Sequence, residues 1–221
     1  MKMLSKSVLL FLASANLLAQ PSPSQTAKAR SVIWRPPKVI DIREVAPKPT
    51  VKKEIVRRLY IAGWPVTLEE TDSDRAASHF GVPTGEEGDA SEFAKWICLS
   101  GEGPQGVWGL WLESSEISGP KIDRFHLQLV PPGSRLDHRC KALGTGNKLL
   151  ELPILISLGM RETDVIGAWG PPSDRYRNTA QYYYQHPVRT LNKSSTLLNY
   201  VYIIYRDDKV RAIVADHSTQ D

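Results

Sequence analysis

The side chains able to do acid–base, nucleophilic or metal chemistry are scattered along this chain. The five histidines, His79, His126, His138, His186 and His217, include no pair at metal-ligand spacing, and His138 two positions before Cys140 does not make a zinc site. There is no G-x-S-x-G elbow, no phosphate-binding loop ending in Lys and Ser or Thr, and no H-E-x-x-H. The carboxylate pairs Glu69 with Glu70, Glu86 with Glu87 and Asp207 with Asp208 sit beside turns or helix ends, where solvation accounts for them better than catalysis. GEGPQG, at Gly101, Gly103 and Gly106, matches a dinucleotide fingerprint in form. Pro104 and a strand-like VWGLWL follow where a helix N-terminus would be needed, so a hairpin loop is expected instead. The chain is therefore read as non-enzymatic, with no metal, cofactor or small-molecule substrate. An enzyme with a dispersed site stays open as a rival; clustering of His126, Asp123 and Glu113 in a deep pocket would support it, and a shallow aromatic saddle would count against it.

Binding chemistry is better represented. Tyr and Trp bury large areas at low entropic cost and recur as interface anchors. Trp108, Trp111, Tyr182, Tyr184, Tyr200 and Tyr202 are the aromatic candidates, and Arg124 and His126 are the polar ones. Ordinary sheet packing is the competing explanation for each aromatic. The two cysteines, Cys98 and Cys140, read as a disulfide if the chain is exported, ahead of a metal site or a nucleophile.

The elements that must position these residues centre on residues 159–172, GMRETDVIGAWGPP. Val165, Ile166 and Trp169 share one helical face; Gly170 supplies the stop, and Pro171 with Pro172 forbids continuation. Aromatic, strand-like sequence follows. An earlier stretch, residues 71–83, has the same layout: Ala76, Ala77, Phe80, Gly81 and Pro83 align with Val165, Ile166, Trp169, Gly170 and Pro172. Lys121, Ile122 and Phe125 align with Lys209, Val210 and Ile213, so the offset stays at 88 to 89 residues. Short helical turns are expected at Gly63 to Val66 and at Leu152 to Ile154, each with a proline in its first turn. Strands are expected over 94–99, 106–113 and 121–129, with Phe125, Leu127 and Leu129 on one face and Arg124, His126 and Gln128 on the other. Tyr200 and Tyr202 share a face opposite Val201, Ile203 and Tyr205. The expected fold class is α+β: two tandem repeats, each a helix pair plus a three-stranded antiparallel meander, forming an open-faced sheet with exposed aromatics.

Residues 1–19 have the layout of a signal peptide, with Lys2 and Lys6 ahead of the apolar run VLLFLASANLLA and small residues at Ala15 and Ala19. An uncleaved anchor is the alternative. Residues 20–54 form a linker rich in Pro and Lys, in which VIWRPPKVIDIREV could add an edge strand. Residues 55–143 and 144–221 are the two repeats. The overall charge of +4 is segregated: residues 20–60 carry ten Lys and Arg against three acids, and residues 61–119 carry two against eleven. A basic arm thus precedes an acidic module, and could fold back on it or touch anionic lipid. Nucleic acid is not an expected partner.

Taken together, Gly159 with Met160, Asp164 with Val165, the run Trp169 to Pro172, Tyr182 to Tyr184 and the closing YRDDKVRAI resemble the SmpA/OmlA (BamE-like) domain. The same fold, duplicated, is that of the beta-lactamase inhibitor protein. The likeness covers residues 148–216, and reaches residues 60–130 through the internal repeat. Arg161 stands where the family has a capping Thr, and no lipidated Cys is present. The resemblance implies a periplasmic or secreted module that binds another envelope or extracellular protein through open sheet faces. An assembly or scaffold role, enzyme inhibition, or a structural role in contact with lipid are the forms it could take.

Overall fold

The computed structural model describes residues 33–34, 51, 55–88, 93–146, 149–189 and 194–220, within the unit Ser31–Asp221. The expected signal peptide and nearly all of the linker lie outside these residues. In chain order the elements are β1 (Ile33–Trp34), β2 (Arg58–Ile61), β3 (Trp64–Thr67), α1 (Ser73–Phe80), β4 (Gly85–Glu87), β5 (Ala94–Gly103), β6 (Gly106–Ser115) and β7 (Arg124–Leu129). They continue with β8 (Arg135–Leu136), β9 (Lys141–Thr145), β10 (Leu150–Glu151), α2 (Glu162–Trp169), β11 (Asp174–Tyr176), β12 (Thr179–Arg189), β13 (Ser194–Arg206) and β14 (Lys209–Gln220).

Eight strands form one antiparallel sheet in the order β11, β12, β13, β14, β7, β6, β5, β4, and β9 pairs in parallel with β5. The pairing of β14 with β7, from Ala212 opposite Gln128 to Asp216 opposite Arg124, fuses the two halves into a continuous sheet. A second sheet, β10, β2, β3, is small, and β1 pairs in parallel with β8. The hairpins turn where the backbone reaches positive φ. Ala62 and Gly63 close β2 to β3, and Asp207 with Asp208 closes β13 to β14; both are two-residue turns whose twist matches the strands.

The expected pair of helix-pair repeats with an open-faced sheet is not what the chain forms. The described residues hold one eight-residue helix per half, and strands dominate the rest. Gly63 to Val66 contains a hairpin turn and most of β3 instead of a helical turn. Pro65 is tolerated there because β3 is an edge strand that needs no second partner for its nitrogen. Leu152 to Ile154 is irregular, with bends at Pro153 and Ile154. The 88-to-89-residue offset does recur in the backbone: isolated bridges join Asp72 to Lys121 and Arg161 to Lys209, tying each helix start to the chain just ahead of, or opening, a sheet strand. The helix starts differ. Asp72 accepts from Asp74 N and Arg75 N at 3.0 and 3.2 Å, whereas Arg161 makes no side-chain cap.

Both helices pack on one face of the large sheet. Ala76, Ala77, Phe80 and Val165 join Leu99, Leu110, Leu112, Phe125, Leu127, Val201, Ile203 and Ile213 in the main core. The small sheet adds Leu59, Ile61 and Val66 to the same core. Asn199, fully buried, reaches from β13 to hold the chain entering this layer. Its Oδ1 accepts from Ile55 N and Val56 N, and its Nδ2 donates to Val56 O and Asp216 O, all at 2.9 to 3.1 Å. On the opposite face Trp96, Cys98 and Trp111 form a smaller cluster with Leu136 and Cys140, and the Cys98–Cys140 disulfide pins this cover to β5.

Candidate functional site

Cross-strand register builds one row of side chains on the face away from the helices. Glu113 on β6 faces Arg124 on β7, Arg124 faces Asp216 on β14, Asp216 faces Tyr200 on β13, and Tyr200 faces Tyr183 on β12. Trp111, His126, Val214, Tyr202 and Gln181 form the next row. Because the side-chain period in a strand is two, the long strands β12 to β14 carry these rows over to the residues of β6 and β7 without a break.

The centre of the first row is ionic. Arg124 donates through Nε and Nη2 to Asp216 Oδ2 at 2.9 and 2.5 Å, and its Nη1 lies 3.7 Å from Glu113 Oε2. Burial pushes the Glu113 carboxyl up to about 7 against the pull of Arg124, while Asp123 and Asp216 nearby push it further. Burial acts to lower the Arg124 guanidinium, yet the carboxylates around it, Asp216 first, hold it above its usual range. The aromatic end is stacked: Tyr183 and Tyr200 lie with centroids 4.6 Å apart, and Tyr200 and Tyr202 at 6.2 Å in nearly parallel planes. Burial and the contact with Tyr183 raise the Tyr200 hydroxyl to about 12, so Tyr200 stays a neutral hydrogen-bonding group at physiological pH.

The sequence candidates divide between the two faces. Arg124, His126, Trp111, Tyr200 and Tyr202 come together on the helix-free face; Trp108, Tyr182 and Tyr184 lie on the core face. Exposure also differs from the open-sheet expectation. Trp111 and Tyr182 are fully buried and His126 is 1% exposed, while Tyr184, Tyr200 and Tyr202 are half-buried. Tyr182 packs edge-on to Trp169 at 5.0 Å, and its hydroxyl donates to Gly170 O, so it holds α2 to the sheet. Burial, with a smaller push from Arg124, drives the His126 imidazole down to about 3 and keeps it neutral.

Glu113, Asp123 and His126 are not brought together around a cavity among the described residues. The Asp123 carboxylate is occupied by the hydroxyls of Ser115 and Ser118 and by Ser115 N, away from the imidazole of His126. A cavity of about 490 Å³ opens on the other face, between the tip of the β5–β6 hairpin and residues 149–158, and its lining includes none of Glu113, Asp123 and His126. GEGPQG forms that hairpin tip, as its proline and glycines imply. Among the described residues no group of three or more His, Cys, Asp or Glu is placed to hold a metal, and no helix is long and apolar enough to cross a membrane.

Sequence reasoning gave no binding role to Glu113, Asp216 and Tyr183. Their signal is the strand period of two, but the partner of each residue lies on another strand and appears only with the register. Protein-family models, curated proteins and solved structures were each compared with the chain, and none matches.

Proposed function

We propose that the chain is an exported, non-enzymatic module that binds another envelope or extracellular protein through the row Arg124, Asp216 and Tyr200, with the buried Tyr183 stacked beside Tyr200 as its support. The observation that carries this reading is the stacked tyrosine pair set directly beside a half-exposed Arg and carboxylate pair. Rigid, stacked rings next to an oriented guanidinium supply the anchors that dominate interface energetics. Arg124 and Asp216 already hold one another in geometry, so a partner would meet them without ordering flexible side chains. The layout of residues 1–19 and the Cys98–Cys140 bridge support export into an oxidising compartment.

The test is capture of envelope and culture proteins on immobilised chain, with a Tyr200→Ala/Arg124→Ala surface as control, followed by titration of the recovered protein in pure form. A partner whose Kd weakens at least tenfold with the double substitution, and also with Tyr200→Ala in a variant of unchanged melting temperature, supports the reading. Equal retention on both surfaces, or a Kd indifferent to these side chains, overturns it.

A further inference from the structure

The cavity on the core face is a built pocket. Its floor is Trp108, Leu127 and Leu129, and its wall is Leu152, Ile154 and Ile156. The wall is anchored at both ends by backbone hydrogen bonds, Ala62 N to Leu149 O at 2.9 Å and Gly159 N to Val210 O at 2.8 Å, so its irregular stretch is held off the sheet. The floor depends on a glycine. A Cβ at Gly101 would sit 2.3 Å from the Trp108 ring, so the bare backbone there lets the indole lie flat across β5 and leaves the space beside it open.

Polar groups lie at the mouth. Gln105, Ser157 and Glu151 are exposed, and Glu151 is the ionisable side chain among the described residues that line the cavity. Leu155 and Val107 stand exposed next to the lining residues. At about 30 Å³ for each water-sized group, 490 Å³ accommodates on the order of sixteen non-hydrogen atoms. That volume falls within the range of small-molecule sites, and its apolar depth with a few polar groups at the rim is their usual composition.

We propose that this cavity holds the aliphatic chain of a single-chain amphiphile whose head group is uncharged or cationic. The chain lies on Trp108 between Leu127 and Ile156, and the head rests among Gln105, Ser157 and Glu151. A carboxylate or phosphate head would meet the Glu151 carboxylate at the mouth and is disfavoured. The site is independent of the tyrosine row, which lies on the other face.

The experiment is displacement of N-phenylnaphthylamine from the full chain by decanol, decyltrimethylammonium and decanoate, each below its micelle concentration. Decanol and the cation should bind saturably at one site, and decanoate at least tenfold more weakly. Each methylene added from octanol upward should tighten binding about fourfold until the cavity is filled, after which the gain stops. Leu152→Arg, which puts a charge in the wall, and Ile154→Trp, which fills volume, should each weaken decanol at least tenfold in variants that keep their melting temperature. Decanoate binding as tightly as the cation overturns the proposal, as does unchanged decanol binding in either folded variant. If neither variant folds, the chain-length series decides: affinity that climbs without levelling off is partition onto an apolar surface and overturns the proposal.

Discussion

Replacing Glu113 by Gln should remove a definite part of the dependence of stability on pH. In the folded chain the Glu113 carboxyl, nearly enclosed beside Arg124, titrates near 7 against an ordinary value of 4.5. Its folded pKa is raised, so its contribution is fully present below about pH 4.5, where folded and unfolded forms are both protonated. As pH rises from there to about 7 the unfolded chain ionises first, and stability is lost at about 1.4 kcal/mol per pH unit. The whole change comes to roughly 3 kcal/mol, complete by about pH 8. Gln is neutral throughout and close to the protonated acid in shape, so the stability of the wild type minus that of Glu113→Gln should fall by that amount between pH 4 and pH 8. His126, whose imidazole is held down to about 3, acts in the opposite direction between pH 3 and 6.5; it is present in both proteins and cancels in the difference. The assay is urea unfolding followed by tryptophan fluorescence at pH 4, 5, 6, 7 and 8. A difference that stays flat within about 0.5 kcal/mol, or that rises with pH, would refute the assignment of a desolvated carboxyl to this position.

Asn199→Ala should destabilise by about 3 kcal/mol or more, because it strips partners from the amides of Ile55 and Val56 and from two carbonyls at a fully buried site; chemical denaturation at pH 7 measures it. Asp72→Ala should cost about 1 kcal/mol, whereas Arg161→Asp, which supplies α2 with the cap it lacks, should stabilise by a similar amount, both read from urea midpoints. Reducing the Cys98–Cys140 bond releases a loop with a sequence separation of 42, worth roughly 4 kcal/mol in the chain-entropy model, and should lower Tm by about 10 °C in a thermal melt. Two free thiols in the intact mass of the purified, unreduced protein would remove that last expectation.

Much of the local structure was legible in the residues. Gly81 marks the end of α1, and Gly170 with two prolines marks the end of α2, because helix termination is a chemical property of single positions. The alternation of Arg124, His126 and Gln128 against Phe125, Leu127 and Leu129 gave the faces of β7 correctly, since the strand period is fixed by backbone geometry. The expected helical turns failed because Gly63 and Pro65 suit an edge hairpin as well as a helix start, and a four-residue window holds no period to separate the two.

The candidate site was half legible. Tyr200, Tyr202, Arg124 and His126 could be named from type and alternation, and the 88-to-89-residue spacing located equivalent contacts at Lys121 and Lys209. What the chain by itself determined is therefore what acts within a few residues: caps, turns, strand faces and the disulfide candidates. The tertiary structure decided that β14 pairs with β7, which sets Arg124 against Asp216 and Tyr200 into one row, and that residues 149–158 stand off the sheet to leave a cavity over Trp108. These outcomes depend on contacts between positions some ninety residues apart in one case and some forty in the other. Such contacts are chosen by burial and register summed over the whole sheet, which no local stretch of sequence contains.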